Sequence, residues 1–399
     1  MEAFVAESVI RQAIADGLAD PSLGSAEQWA AVAEYVDARG EDPWPARRAA
    51  LADGSAALPQ LREWLAADVA IAAPLMAAFT SHDTTIEHAV VHVDRAELDA
   101  LAAWLTEDQG ESVEVLDATV IGGGFSRRMW RADVRVGGRE LRVIVRIEQG
   151  GMFGTDTVTE VTAMKALHGA GFSVPQVLHV EETGSVLGEP FFVMEEVPGV
   201  VRIDNEGLDD IIRSVADLHR VPVTVLDASG RTPEQVISDN IEGWRAMYRQ
   251  HAPELPLIEF GADWLHEHLQ PTGPSVIVHG DAGPGNALFD PEQGLTTIDW
   301  EFAHVGDAAE DWAYLGLIRG RRIMDAAAWK ARIADVAGVE YSTEQWRMWL
   351  AYMHFRGACV NLSARTVFEN GPRRTADQLA IGVAVHLRSL PQLMEIIDA

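Results

Sequence analysis

Asp281, Asn286 and Asp299 are the side chains whose types and spacing could do chemistry together. His279-Gly280-Asp281 follows the apolar run at 276–278, Asn286 comes five residues after the aspartate, and Asp299 closes a second run, "LTTID". If "VIVHG" and "ALFD" pair as a short hairpin with "LTTID" beside them, the asparagine stands at the base of the loop and the three side chains converge. Magnesium takes hard oxygen ligands and keeps several waters, so one carboxylate, one amide oxygen and the phosphates of a substrate make a sufficient site. Asn286 and Asp299 would then hold the cation, leaving Asp281 to orient a hydroxyl and accept its proton. Phosphoryl transfer needs that division of labour, with a metal to neutralise phosphate charge and a carboxylate to position the attacking oxygen.

The elements that must position these residues follow from periodicity. Residues 1–92 read as alanine-rich helices broken at "GEDPWP" (40–45) and "DGS" (53–55). Asp94 is placed to cap a helix with Glu97 closing a capping box, and Leu98, Leu101, Ala102 and Leu105 form its apolar stripe. From Val113 three β-rich runs separated by "GGG" and "GGR" predict an antiparallel meander. A helix follows over "TDTVTEVTAMKALHGAG", then two strands in "VPQVLHVEE" and "PFFVMEEVPG", and the chain turns helical from about Asp204. The expected fold class is α+β, with a sheet-rich N-lobe over 93–199 and a helix-rich C-lobe over 200–399, preceded by a helical extension over 1–92. Ser342 or Thr343 caps a helix whose stripe is Trp346, Trp349, Leu350 and Met353, and 369–378 reads as an exposed loop.

Composition narrows the partners. The 399 residues carry a formal charge of −30, which repels nucleic acid and anionic membranes at long range. A single cysteine, Cys359, excludes an internal disulfide and fits a reducing compartment. The N-terminus lacks a basic, then apolar, leader pattern, and the apolar run at Val69 to Phe79 is too short to span a bilayer, so a cytoplasmic protein is expected.

His279-Gly280-Asp281 with Asn286, followed by Ile298-Asp299-Trp300-Glu301 and Gly306-Asp307, resembles the catalytic core of the aminoglycoside phosphotransferase and choline kinase family, relatives of the protein kinases. The resemblance implies a bilobal protein-kinase-like fold, Asp281 as catalytic base, Asn286 and Asp299 on Mg2+, and ATP or GTP as donor. His279 and Asp307 would be structural supports, Asp307 bracing the next helix. It also implies a glycine-rich loop over the nucleotide phosphates, where Gly122, Gly123, Gly124 and Ser126 stand, although a plain hairpin turn accounts for them equally. The family usually places a phosphate-holding lysine in the third strand. Here Lys165 and Lys330 are the two lysines, neither lies in that strand, and Arg146 of "VIVRIE" aligns instead. A guanidinium stays charged and binds phosphate bidentately, so charge is kept while geometry changes. Glu160 is the expected partner of Arg146 on the next helix, with a dipole-favoured first-turn glutamate as the alternative. Glu195 to Val197 would offer hinge backbone groups to the purine. His304 reads as a packing residue and Cys359 as inert core.

The resemblance runs from Asp94 to the C-terminus and points to the branch related to phosphotransferase domains fused to acyl-CoA dehydrogenases, through "GGFS", the strand arginine, "VHGD" with "NALFD", and "DWEFAHVGDAAEDWAYL". That branch implies a small-molecule hydroxyl acceptor of hydroxyacyl type, thioesters included. The acidic balance suits a cationic antibiotic, aminoglycoside or macrolide, whereas coenzyme A would need a local basic patch. A nucleotide-binding regulatory protein without catalysis is a third reading, against which the intact Asp281, Asn286 and Asp299 speak. Arg356, Asn361 and Arg365 lie near-periodically on one helix, as acceptor contacts or as a solvated face. A homodimer is left open, and residues 1–92 could be a lid, a dimerisation element or a packing extension.

Overall fold

The computed structural model describes residues 5–20, 23–81, 91–122, 126–253 and 255–398. Five helices come first, α1 (Glu7–Ala19), α2 (Ala26–Arg39), α3 (Trp44–Ala52), α4 (Leu58–Ile71) and α5 (Ala73–Ser81). Ser25 and Gln28 close a capping box on α2, and prolines occupy the first turns of α3 and α4, where no intrahelical N–H is missed. Two of the four joints, α2 to α3 and α3 to α4, fall at the breaks expected from the sequence; those from α1 to α2 and at Ala72 are further ones.

These helices have no core of their own. Trp29, Val32, Tyr35 and Leu75 pack with Phe368, Leu379 and Val383 near the C-terminus, while Trp44, Leu61 and Leu65 belong to the main core of the C-lobe. Asp68, buried among them, accepts from Trp44 Nε1 at 2.9 Å and Arg47 Nη1 at 2.8 Å. The extension is thus a layer on the C-lobe.

The N-lobe starts at the edge of its sheet, where Val93 donates to the Ala118 carbonyl. Helix α6 (Arg95–Gln109) is capped by Asp94 through the Ala96 amide. Glu97 bonds Arg128 at 2.9 Å, a cationic partner on the neighbouring strand, in place of the expected reach back to the cap. Strands β1 (Val113–Ile121), β2 (Arg127–Val136), β3 (Arg139–Glu148), β4 (Val177–Glu181) and β5 (Phe191–Glu195) form one antiparallel sheet in the order β1-β2-β3-β5-β4, with α7 (Thr157–Gly169) between β3 and β4.

Strand β3 is central, and its two-residue period sorts its side chains. Val143, Val145 and Ile147 join the cluster under α6, whereas Ile144 joins the cluster under α7. Arg146 shares the phase of Ile144 and so faces α7.

The C-lobe holds α8 (Asn205–Leu218), α9 (Pro233–His251), α10 (Pro256–Glu267), β6 (Val276–Val278), β7 (Ala287–Asp290), β8 (Gly294–Thr297), β9 (His304–Gly306), α11 (Ala308–Trp312), a π-helical turn (Ala313–Arg319), α12 (Ala326–Ala337), α13 (Thr343–Asn370), α14 (Ala376–Ala380) and α15 (His386–Ile397). The expected pairing of "VIVHG" with "ALFD" is corrected. β6 pairs with β9, and β7 with β8, in separate two-stranded ladders. Gly280, at φ +78°, bends the chain directly after β6, so β6 and β7 do not run side by side. The exposed loop expected over 369–378 is shorter, because Ala376 starts α14 and Gln378 is buried. Among the described residues no helix is long and apolar enough to cross a membrane.

Because Leu65 is 1% exposed within the C-lobe core, Leu65→Ala should destabilise the whole chain by about 2–5 kcal/mol. Denaturant unfolding followed by tryptophan fluorescence and far-UV circular dichroism should retain one transition. A separate early transition confined to the extension would contradict the shared core.

Candidate active site

The loop after β6 is fixed before any ligand arrives. A Cβ on Gly280 would lie 2.6 Å from the Phe302 carbonyl oxygen, and its φ is left-handed, so glycine alone fits. The buried Asp311 carboxylate, on α11, accepts the His279 N–H at 3.0 Å and the Gly280 N–H at 2.9 Å, with His219 Nε2 also at 3.0 Å. Burial works to raise this carboxyl, yet the His219 contact and the further bonds hold it below its ordinary value. His279 is fully buried against Trp300, with ring centroids 4.5 Å apart. Its Nδ1 accepts from the Asp281 N–H at 3.2 Å, which places the proton on Nε2, the donor to the Ile298 carbonyl at 3.0 Å. The ring therefore staples the loop to the strand that ends at Asp299.

Asn286 closes the loop. Its Nδ2 donates to the Asp281 carbonyl at 2.8 Å and to Asp281 Oδ2 at 2.7 Å. Asp281 Oδ2 also accepts from Arg319 Nη2 at 2.8 Å. Burial alone would raise the Asp281 carboxyl, but the Arg319 guanidinium and the Tyr314 hydroxyl hold it below its ordinary value.

Asp299 follows β8 and has φ +67°, one of two non-glycine residues with positive φ among those described. It receives Arg146 Nη2, while Arg146 Nε lies 2.8 Å from Glu160 Oε1 on α7. Below them stands an acid to which the sequence reading gave no role, Glu301. Ser126 Oγ donates to Glu301 Oε1 at 2.7 Å, and Thr155 Oγ1 stands 3.2 Å from Glu301 Oε2. Arg127 Nε is 3.5 Å from Glu160, and its Nη2 is 3.8 Å from Glu301. Two guanidinium groups thus serve three carboxylates. Burial and the neighbouring Asp299 push the Glu301 carboxyl up to about 8.

The other expected positions fall as follows. Gly122 is exposed at the turn after β1, and Gly123 and Gly124 lie outside the described residues. The Ser126 hydroxyl is turned inward onto Glu301. The Glu195 N–H is spent on the Gln176 carbonyl at 3.0 Å, so a backbone donor to a purine would fall to the later hinge position, Val197. Asp307 caps α11 through the Ala309 amide at 2.9 Å and also accepts the Thr272 N–H at 2.7 Å. His304 lies 3.1 Å from Glu310, and Cys359 is buried core.

Arg356 and Arg365 are neither solvated nor in an open cleft. Arg356 is 3% exposed, donates to Glu310 at 2.7 Å and to the Gly280 carbonyl, and stacks on Phe302. Arg365 is buried and donates to the His251 carbonyl, and Asn361 is half-buried. Arg127, Asp311 and Arg319 are the further site residues that sequence reasoning missed. The buried place of Arg356 had a usable signal, since it shares the helical phase of Trp349, Met353 and Val360.

The residues fit a hard cation. Asn286 commits its amide nitrogen to Asp281, which leaves Oδ1 as its remaining acceptor, and Ile298 N–H donates to the Asn286 carbonyl at 3.0 Å, setting Asp299 one residue past that link. No group of three His, Cys, Asp or Glu suited to a metal occurs among the described residues. A cation held here would complete its shell with phosphate oxygens and water.

A five-stranded lobe, a hinge and a helical lobe whose loop presents an aspartate clamped by an asparagine define a kinase-like protein. Residues 117–349 match the phosphotransferase enzyme family, APH, and the chain belongs to that family. Acyl-CoA dehydrogenase family member 10 from Mus musculus is 30% identical over 238 residues, covering 50% of this chain and 22% of its own length. The chain thus spans about a fifth of that relative. Viomycin phosphotransferase from Streptomyces vinaceus is 26% identical, covering 40% of this chain and 62% of its own. The choline kinase LicA structure from Streptococcus pneumoniae superimposes with a TM-score of 0.52 at 15% identity, covering 74% of this chain and 98% of that one.

In the folded protein Glu301 holds its proton up to about pH 8, against an ordinary value of 4.5. The folded state therefore binds the extra proton between those values, and stability falls as pH rises through them. Glu301→Gln removes this term. Urea midpoints from pH 5 to 9 should show wild type losing ground to the variant by up to about 1.4 kcal/mol per pH unit, levelling off above pH 8. A gap that does not vary with pH would contradict the assignment.

Proposed function

We propose that this protein is a small-molecule kinase that transfers the γ-phosphoryl group of ATP or GTP to a hydroxyl, with Asp281 as base and a hydroxyacyl compound as acceptor. The observation that carries the reading is the clamp of Asn286 on Asp281 beside Asp299. Asp281 would orient the acceptor hydroxyl and take its proton as the oxygen bonds to phosphorus and the bridge to the β-phosphate breaks, releasing the nucleoside diphosphate. Asn286 and Asp299 would hold Mg2+, which supplies charge neutralisation on the transferred group.

Arg146, held at its Nε by Glu160, would be the cation that meets the α- and β-phosphates. Its Nη2 rests on Asp299. A nucleotide would give that guanidinium phosphate oxygens in exchange for part of this contact. Val197 would offer the backbone donor to the purine, and Asp311 with His279 would keep the loop in place. The mouse relative, an acyl-CoA dehydrogenase family member by name, supports an acyl acceptor. A second reading, antibiotic O-phosphorylation, draws on the likeness to viomycin phosphotransferase and on the charge of −30.

Asp281→Asn should lower turnover by about 10²–10⁴ while nucleotide affinity changes little. The test is product formation over hydroxyacyl thioesters, aminoglycosides and macrolides, alongside calorimetric nucleotide binding. Equal loss of both would remove Asp281 from the role of base, and nucleotide binding without product from any acceptor would favour a regulatory protein.

A further inference from the structure

We infer that Arg319 selects the acceptor, occupying the Asp281 carboxylate until a hydroxylated molecule that carries its own carboxylate or phosphate draws the guanidinium away. The inference rests on the phosphotransfer reading and deepens it.

Asp281 Oδ2 is doubly filled, by Asn286 Nδ2 at 2.7 Å and by Arg319 Nη2 at 2.8 Å. The first contact belongs to the fold of the loop. The second comes from the last residue of the π-helical turn, on a side chain 43% exposed. A carboxylate oxygen filled by two donors is a poor acceptor for a hydroxyl proton. The free enzyme therefore presents a masked base, which protects a bound nucleotide from water as well as from unsuitable alcohols.

The surroundings say what would lift the mask. Although the chain carries −30, an exposed guanidinium, that of Arg319, stands next to Asp281, with Arg321 and Arg322 exposed in the turn that follows. The Arg319 charge repels a cation there and attracts an anion. Gly283 lies beneath the Arg319 stem with no side chain, and a Cβ there would come 3.6 Å from Arg319 Cγ. The Tyr314 ring, 5.9 Å from the guanidinium carbon, keeps it near the mouth. An acceptor anion would pair bidentately with Arg319 while its hydroxyl takes the vacated place on Asp281, so recognition and unmasking are one event.

The test compares wild type with Arg319→Gln and Arg319→Lys, using 3-hydroxybutyrate as the anionic acceptor and methyl 3-hydroxybutyrate as the neutral one. Arg319→Gln should raise KM for 3-hydroxybutyrate by about tenfold or more, raise kcat/KM for the methyl ester several-fold because Asp281 is uncovered, and increase acceptor-independent nucleotide hydrolysis several-fold. Arg319→Lys should recover part of the discrimination. An unchanged ratio of the two KM values in Arg319→Gln would overturn the inference. Calorimetric binding of 3-hydroxybutyrate separates this from failure of the kinase reading. If no acceptor is phosphorylated, loss of 3-hydroxybutyrate binding in Arg319→Gln still supports the contact, and equal binding by both proteins overturns it.

Discussion

A buried guanidinium must be surrounded by carboxylates, and between the lobes of this protein that requirement is met twice over. Arg127 and Arg146 enter from adjacent strands, and Glu160, Asp299 and Glu301 answer from α7 and from the segment after β8. Removing one member would leave an uncompensated buried charge, a loss far larger than that of a surface pair. The network therefore sets the position of β3 against α7 and of both against the Asp299 turn. Because two cations meet three carboxylates, one acid must be neutral or must find another cation. Glu301, raised by burial, takes the proton in the free protein.

The second fixed point is α11, five residues long, where three acids secure three different segments. Asp307 caps the helix and ties the Thr272 turn, Glu310 takes Arg356 and His304, and Asp311 takes two amides of the Asp281 loop. Arg356 closes the circuit by donating to the Gly280 carbonyl. The loop is thus held through its backbone from both sides, by an acid on its N–H groups and a base on its carbonyl. Asp281 itself meets Asn286, Arg319 and the Tyr314 hydroxyl. Preorganisation of this kind is what makes a carboxylate useful at a reacting oxygen.

The architecture was legible where periodicity is strong. The five strands, the meander, the helical turnover at Asp204 and the Ser342 cap all follow from two- and 3.6-residue patterns with local caps. The Asp281, Asn286 and Asp299 set was legible because its spacing is short and its chemistry specific. The pairing of β6 with β9 was not, since three-residue strands carry too little pattern to name a partner across an intervening hairpin. Long-range charge partners were hidden for the same reason. Ser126 meets Glu301 over a separation of 175 residues, and no local rule encodes it. Arg356 misled because an arginine near a helix periodicity suggests solvent, whereas its exact phase with Trp349 and Met353 belongs to the core.

The extension makes sense when the contacts between lobes are traced. After β3 the chain runs through a strap at 149–155 that leaves the N-lobe and enters the C-lobe. Met152 is fully buried with Ala364 and Ile381, and the Phe153 N–H donates to Ser363 Oγ at 2.7 Å. Phe153 takes a left-handed backbone to do so and sets its ring 5.8 Å from Phe302, the residue under Arg356. The seat of this strap is α13 and a second π-helical turn, Ile381–Val385, before α15, and those are the elements onto which the extension packs. An isolated helix pair at that edge would leave Phe368, Leu379 and Val383 open to water. Covering them stabilises the seat, and the seat holds the strap that joins β3, with Arg146, to the helix carrying Arg356. Residues far from Asp281 in the chain are in this way coupled to both sides of the cleft through packed side chains.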